Sequence, residues 1–200
     1  MKLLAIDTAA NLCAACIWDT DAGAERGRAV ADIGKGHAEL LMATIEEALK
    51  AAGCSYADLG MLAVAVGPGS FTGVRVGVAT VRGLALALNI PAVGVSTLDA
   101  IAAEAFAGHP ARPVFAAIDA GRDEFYVALY DEFAKAIYGP VVTTMATALD
   151  LARQHRPTLA GSAARKIADG LSPIPVDLEF GPEVATADIA TYARLAVARG

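Results

Sequence analysis

The sequence is poor in charge, in aromatic side chains and in long apolar runs. Charged residues make up 19% of its 200 residues and aromatic residues 6%, whereas about 25% charge is usual in globular proteins. No uninterrupted apolar run reaches the roughly 18 residues of a transmembrane helix, and Met1-Lys2 leads into a strand rather than a signal peptide. We therefore expect a cytoplasmic protein with a large core, an adhesive apolar surface or both, and with no contact with a membrane.

Side chains that could hold a metal or a nucleic acid are also few. The pair Cys13 and Cys16 has C-x-x-C spacing, but residues three apart on a strand point to opposite faces, which favours two small buried hydrophobes. The three histidines share no H-x-x-x-H spacing, so we expect no metal site. The net charge of −6 argues against direct binding of tRNA, although a basic patch around Arg75, Arg82 and Arg122 stays open as an alternative.

The most informative stretch is residues 61–89. An apolar run at 62–66 predicts a buried strand, and residues 73–88 predict a helix that stops before Pro91. The connecting loop carries no Gly-Lys-Ser/Thr and no G-x-G-x-x-G frame, so it is neither a P-loop nor a dinucleotide loop. It is either a tight turn or an anion or partner site, and it consists of Gly67, Pro68, Gly69, Ser70, Phe71, Thr72 and Gly73.

Glycines continue into the predicted helix. Gly73, Gly77 and Gly83 leave one side of it almost free of side chains, although each glycine costs about 1 kcal/mol relative to alanine inside a helix. Such a helix is expected to lie very close to another backbone. That backbone belongs either to the protein's own sheet or to another chain.

The two halves of the sequence repeat one pattern. A shift of 112 residues places 4–19 on 116–131 without a gap and with four identities in sixteen. Both stretches predict a strand that ends in Asp, a short turn and an apolar strand, and in both halves a third strand and a helix follow. We interpret this as a duplication.

The duplication defines two predicted lobes. The first covers residues 1–108 and carries the glycine loop and a helix at 37–52, and the second covers 114–200. The Gly- and Pro-containing segment 108–113 joins them. An edge strand at 173–180 and a final helix at 186–199 are placed in the second lobe.

Two lobes with Asp-ended hairpins describe the duplicated α/β fold of actin-like ATPases, sugar kinases and RNase H-like proteins. Its nucleotide chemistry needs Asp-x-Gly-Thr/Ser, which supplies a carboxylate for the metal and a glycine for close phosphate approach. Here the hairpins begin at Asp7-Thr8, with no glycine, and at Asp119, with Gly121 but no hydroxyl. We expect only the remains of a nucleotide site. An ATP-dependent small-molecule kinase with Asp7 and Asp119 at the metal is the alternative function.

The sequence resembles the TsaB (YeaZ) family. The motifs that carry the resemblance are Asp7-Thr8-Ala9, the run G-P-G-S-F-T-G-V-R-V-G at 67–77, G-V-S-T-L at 94–98 and Ala117-Ile118-Asp119-Ala120. The resemblance implies a cytoplasmic, non-catalytic subunit in the making of threonylcarbamoyladenosine beside the tRNA anticodon. The paralogous catalytic subunit, TsaD, holds a metal with an H-x-x-x-H pair, whereas here the residue four positions after His37 is Leu41.

The resemblance also implies partners. They are a TsaD-like catalytic subunit, a second copy of this chain and a TsaE-like ATPase, with tRNA bound only through the complex. No cofactor is expected to bind tightly to this chain alone, and ATP or ADP at the interface with the partner is left open. Family members pair through their first two helices, and the alternative is that these helices only cover their own sheet. The residues predicted for the interface are His37, Leu41, Ile45, Arg75, Val76, Gly77, Thr80, Gly83 and Leu84.

Overall fold

A computed structural model describes residues 1–34, 36–109, 111–172 and 178–200. The chain forms two compact units, one from Met1–Thr97 with Asp188–Gly200 and the other from Leu98–Ala187. This division differs from the predicted lobes, because the helix after residue 97 joins the second unit and the last helix joins the first. We call them unit 1 and unit 2.

Unit 1 contains a five-stranded sheet in the order β3-β2-β1-β4-β5. Strand β1 pairs antiparallel with β2 and parallel with β4, and β4 pairs parallel with β5. The strands are β1 (Lys2–Asp7), β2 (Leu12–Asp19), β3 (Ala24–Asp32), β4 (Leu59–Ala65) and β5 (Ala92–Val95). The helices are α1 (His37–Ala51), α2 (Phe71–Leu88) and α6 (Ile189–Arg199). A single 3-10 turn, Tyr56–Asp58, precedes β4.

Both faces of this sheet are covered, which explains why its central strands are almost continuously apolar. Side chains alternate across a strand: Leu4 and Ile6 of β1 pack in a core with Leu41 and Ile45 of α1, while Leu3 points to the opposite face. Helix α6 also packs on β1 and β2. The two cysteines of β2 follow the same alternation and both are buried as free thiols, and burial raises the pKa of the Cys16 thiol to about 12.

Unit 2 repeats this topology with the strand order β10-β9-β6-β7-β8. The central strand is again antiparallel to the strand that follows it and parallel to the strand on its other side. The strands are β6 (Val114–Gly121), β7 (Glu124–Tyr130), β8 (Ala136–Thr144), β9 (Thr158–Ala160) and β10 (Glu179–Phe180), and the helices are α3 (Thr97–Gly108), α4 (Met145–His155) and α5 (Ala164–Leu171). The predicted duplication is confirmed by this identity of strand order and direction.

The alignment of 4–19 with 116–131 without a gap is wrong by one residue in the second strand of the hairpin. In unit 1, Leu3 pairs with Trp18. The residue 112 positions after Leu3 is Phe115, and it pairs with Leu129 rather than with Tyr130. A register shift at the end of β6 shortens the second hairpin by one residue. Of the predicted edge strand, residues 173–177 lie outside the described residues, and β10 pairs only with β9, as an edge strand does.

Helix α6 is held to unit 1 by its N-cap residue, Asp188. The Asp188 carboxylate accepts a hydrogen bond of 2.9 Å from the amide of Ala190. It also accepts two from the guanidinium of Arg28 on β3, at 2.6 and 2.9 Å. Burial works to raise the pKa of Asp188, but the hydrogen bonds from Arg28 and Ala190 outweigh it and the pKa is lowered. A carboxylate with a lowered pKa stabilises the fold only while it is ionised.

We expect Asp188→Asn to lower the free energy of unfolding at pH 7 by about 1 kcal/mol or less, because the pair is half-exposed and Asn remains a good N-cap. The contribution of the charge is fully present above the unfolded carboxyl pKa of about 3.9. It disappears as the pH falls through the lowered pKa of the folded state. Urea unfolding of both proteins at pH 7 and at pH 3 should therefore show a difference that shrinks in acid. A difference of equal size at both pH values would contradict this role for the Asp188 charge.

Candidate functional site

The glycine loop between β4 and α2 is closed by the protein's own first hairpin. The Thr8 hydroxyl donates a hydrogen bond of 2.7 Å to the carbonyl oxygen of Gly73, and the Ser70 amide donates one of 2.6 Å to the carbonyl oxygen of Ala9. A Cβ atom at Gly69 would overlap the carbonyl oxygen of Ala9, and one at Gly73 would overlap that of Thr8. Gly69 and Gly73 are therefore explained by close backbone approach within unit 1, whereas Gly67 is explained by its positive φ of 84°.

Ser70 also begins α2. Its side-chain oxygen accepts a 3.2 Å hydrogen bond from the amide of Gly73, as an N-cap residue does. Within the loop, Gly67 and Gly73 are buried, Pro68 and Gly69 are half-buried, and the remaining three residues are exposed, namely Ser70, Phe71 and Thr72. Gly73 packs on the first hairpin, whereas the exposed side chains at 70–72 are the part of the loop that another molecule can reach.

The first predicted nucleotide hairpin is committed to internal contacts. Asp7 is 1% exposed and Thr8 is fully buried. The Asp7 carboxylate accepts a 2.8 Å hydrogen bond from the amide of Ala9. A buried carboxylate that is bonded to its own turn supports the hairpin rather than presenting an oxygen to a metal ion.

The second hairpin differs because it lies at the surface of unit 2. The Asp119 carboxylate is exposed, accepts a 2.7 Å hydrogen bond from the Gly121 amide and lies 3.3 Å from the ammonium of Lys166. Lys166 also lies 3.2 Å from Asp123, so its charge is shared by two carboxylates. In the part of the chain that the structure describes, no group of three or more His, Cys, Asp or Glu side chains is arranged to hold a metal ion.

Four residues predicted for the partner interface are buried in unit 1. Leu41 and Ile45 are at most 1% exposed and lie in the core beneath α1. His37 is 6% exposed, and its Nε2 lies 3.1 Å from the carbonyl oxygen of Leu12. Gly77 is buried, and a Cβ atom there would lie 2.5 Å from the Thr8 hydroxyl. The apolar stripe of α1 and the glycine face of α2 were thus predicted to contact a partner chain, but both pack on the sheet of unit 1.

The other five predicted residues remain accessible on α2. Arg75 and Gly83 are exposed, whereas Val76, Thr80 and Leu84 are half-buried. No heavy atom lies within 4 Å of a Cβ atom built on Gly83, apart from its own helix backbone and its two chain neighbours. Gly83 is therefore the glycine of this helix whose smallness has no explanation within the fold.

Three exposed apolar side chains lie nearby; Phe71 was predicted as part of the glycine loop, whereas Leu86 and Met42 were missed by the sequence reasoning. Phe71 is 70% exposed and Leu86 is 86% exposed, and with Arg75 and Arg82 they form a stripe opposite the buried face of α2. On α1, Met42 is 43% exposed. We use the name α1–α2 surface for a set of exposed residues on the two helices, namely Ala38, Glu39, Met42, Glu46, Phe71, Thr72, Arg75, Ala79, Arg82, Gly83 and Leu86. The α1–α2 surface could have been identified in the sequence from the apolar residues of the two helices that do not fall on the helix face buried in the core.

At one end of this surface the two helices form a pocket of about 390 Å³. The N-terminal residues of both helices line it, with Gly36 and His37 from the α1 side and Ser70 and Thr72 from the α2 side. Ala38 of α1 and Val76 of α2 also line the pocket. It widens the α1–α2 surface into a concave site that a side chain of another molecule can enter.

Known proteins share both the sequence and the fold of this chain. The family model for TsaD, tRNA N6-adenosine threonylcarbamoyltransferase, matches residues 31–192. The tRNA threonylcarbamoyladenosine biosynthesis protein TsaB of Escherichia coli (strain K12) is 34% identical over 161 residues, which cover 80% of this chain and 68% of that protein. The chain belongs to the TsaB (YeaZ) family.

Solved structures agree with this membership. The structure of YeaZ from Pseudomonas aeruginosa superposes with a TM-score of 0.76 and 26% identity, over 98% of this chain and 90% of that one. A Bacteroides thetaiotaomicron protein with the actin-like ATPase fold superposes with a TM-score of 0.55 over 97% of this chain and 95% of that one, at 9% identity. The TsaB-family chain therefore has the duplicated actin-like fold predicted from its sequence.

Proposed function

We propose that this protein is a non-catalytic scaffold subunit in the formation of threonylcarbamoyladenosine in tRNA, and that its α1–α2 surface binds a TsaD-like catalytic subunit. Its relative in E. coli is named for that biosynthesis, and the matching family model is that of the transferase. The observation that carries the binding role is the exposure of α2.

Helix α2 is more apolar than is expected for a helix that is mostly exposed to solvent. Over its 18 residues the mean hydropathy is 1.4, but only 17% of them are buried. Length and composition alone would allow a membrane span. However, its Gly73, Gly77 and Val81 face packs on the sheet of unit 1, and Arg75 and Arg82 lie on the exposed face. Exposed apolar patches on soluble proteins mark interaction sites, so the partner we propose is another protein.

The proposal of a non-catalytic role is supported by the two hairpins. Asp7 is buried in its own turn, and Asp119 is paired with Lys166. We propose that this chain alone does not bind a nucleotide tightly, and that any ATP or ADP is held together with the partner. The rival function, a small-molecule kinase, requires both carboxylates at a metal ion and would be indicated by magnesium-dependent ATP turnover that Asp7→Ala abolishes.

The wider assembly follows from the same proposal. A second copy of the chain occupies the surface when no catalytic subunit is present, and a TsaE-like ATPase joins the complex. The net charge of −6 opposes direct contact with the phosphate backbone, so tRNA is bound by the complex rather than by this chain alone.

Light scattering on the purified protein, alone and mixed with a TsaD-like subunit, tests the proposal. We expect a self-associated species that converts into a complex with the catalytic subunit. Single-turnover transfer of threonylcarbamoyl to tRNA should require the added protein at stoichiometric amounts. The scaffold function is wrong if light scattering finds only the two separate proteins in the mixture and the transfer rate is the same with and without this chain.

A further inference from the structure

We propose that self-association is directed by charge: Arg75 and Arg82 on α2 of one copy face the glutamates of α1 on the second copy. This inference rests on the proposed function, because it concerns the same α1–α2 surface, and it specifies the electrostatic chemistry that this surface recognises.

Helix α2 is purely cationic. Its only charged residues are Arg75 and Arg82, and both are exposed on the stripe opposite the core. The Arg75 guanidinium stacks on the ring of Phe71 at 3.4 Å from its centroid, which holds a charge beside a large apolar group. Within the described ranges neither arginine takes part in an ion pair of unit 1, so both charges are available to another chain.

Helix α1 carries three glutamates and one lysine, Lys50, so its net charge is negative. Glu39 and Glu46 are exposed, and with Met42 between them they follow the i, i+3, i+7 spacing of one helix face. Ala38, which borders this face, lines the pocket that α1 shares with α2. An acidic, partly apolar face thus lies beside a basic, partly apolar one in the same unit.

Two adjacent patches of opposite charge are self-complementary under a two-fold axis. In an isologous dimer residue i of one copy meets residue j of the other and the reverse, so each copy's arginines can meet the other copy's glutamates twice. The exposed Phe71, Leu86 and Met42 supply apolar contact between the charges, and the charges fix the orientation. Because the pairs are near the solvent, their contribution is screened by salt.

Sedimentation velocity on the full chain tests this inference. We expect the dimerisation Kd to rise with salt between about 50 and 500 mM. We expect it to rise about tenfold or more in the double variant Arg75→Glu/Arg82→Glu. The matched control is Lys135→Glu/Arg153→Glu, which makes the same change in net charge on exposed residues of unit 2 and should leave the Kd unchanged.

A charge-swap experiment gives the sharper result. Arg75→Glu/Arg82→Glu and Glu39→Arg/Glu46→Arg should each dimerise weakly alone, and their labelled mixture should form a mixed dimer close to the wild-type Kd. A wild type that stays monomeric, a Kd that does not change on reversal of the arginines, or a mixture that does not associate overturns the inference. Binding of the TsaD-like subunit to wild type in those same samples would show that the scaffold proposal survives on its own.

Discussion

Replacing Gly73 by alanine is expected to lower the thermal unfolding temperature by about 10 °C, whereas the same replacement at Gly83 leaves it unchanged or slightly higher. Both residues are in α2 and both gain one methyl group. At Gly73 that methyl would overlap the backbone carbonyl of Thr8, and at Gly83 it points into open space. Overpacking in a core costs about 1–3 kcal/mol, and for a chain of this size each kcal/mol corresponds to roughly 2–4 °C.

The direction of the two effects separates packing from helix propensity. Alanine is favoured over glycine in a helix by about 1 kcal/mol, so propensity alone would make both variants more stable. The two variants differ because only residue 73 lies in the contact between α2 and the first hairpin. We expect Gly73→Ala to disturb this contact and to break the hydrogen bond from Thr8 to the carbonyl oxygen of residue 73. Calorimetry of wild type and both variants measures the difference. If Gly73→Ala unfolds at the same temperature as Gly83→Ala, the hairpin does not pack on α2 as described.

These glycines also show which contacts of α2 could be predicted from the sequence. The pattern in 73–88 predicts close approach of a backbone, and that is correct for Gly73, whereas the close neighbour of Gly77 is the side chain of Thr8. Sequence spacing cannot say whether the other backbone belongs to the same chain, because Thr8 lies 65 residues away from Gly73. Gly77 was therefore placed on the partner interface, although the Thr8 side chain fills the space in front of it.

The periodicity of α1 was interpreted correctly as a helix, but its core face was assigned to the interface. A 3.6-residue period identifies which residues share a face, and the core face is the one that includes Leu41 and Ile45. A partner must bind the opposite side, so the informative residues are those out of phase with the stripe, such as Met42. The same reasoning applied to α2 would have selected Phe71 and Leu86.

The division of the chain into units depended on contacts that local sequence does not encode. The final helix was predicted at the right place, but it was assigned to the second lobe because it follows that lobe in sequence. Its apolar side, which includes Tyr192 and Ala196, packs on β1 and β2. The Arg28–Asp188 pair joins residues 160 positions apart. Such a long-range pairing has no signature in either segment alone.

The second large effect is expected at Phe71. Phe71→Glu should weaken binding of the TsaD-like subunit about 100-fold, because large exposed aromatic residues often dominate the energy of an interface and a carboxylate would have to be desolvated in its place. The matched control is Phe133→Glu, which makes the same exchange at an aromatic residue that is 82% exposed in unit 2. Isothermal titration calorimetry measures the affinity of wild type, Phe71→Glu and Phe133→Glu for the TsaD-like subunit.

The variant is chosen so that loss of binding does not come from loss of folding. Residue 71 is the first residue of α2, where a negative charge interacts favourably with the helix dipole. The introduced carboxylate would also stand four residues before Arg75, an orientation that stabilises a helix. The unfolding temperature of Phe71→Glu should thus equal that of wild type or exceed it while the affinity falls. If both variants bind the catalytic subunit as tightly as wild type, the exposed stripe of α2 is not the surface that the subunit recognises. If both bind weakly, the effect comes from the added charge and not from the aromatic anchor.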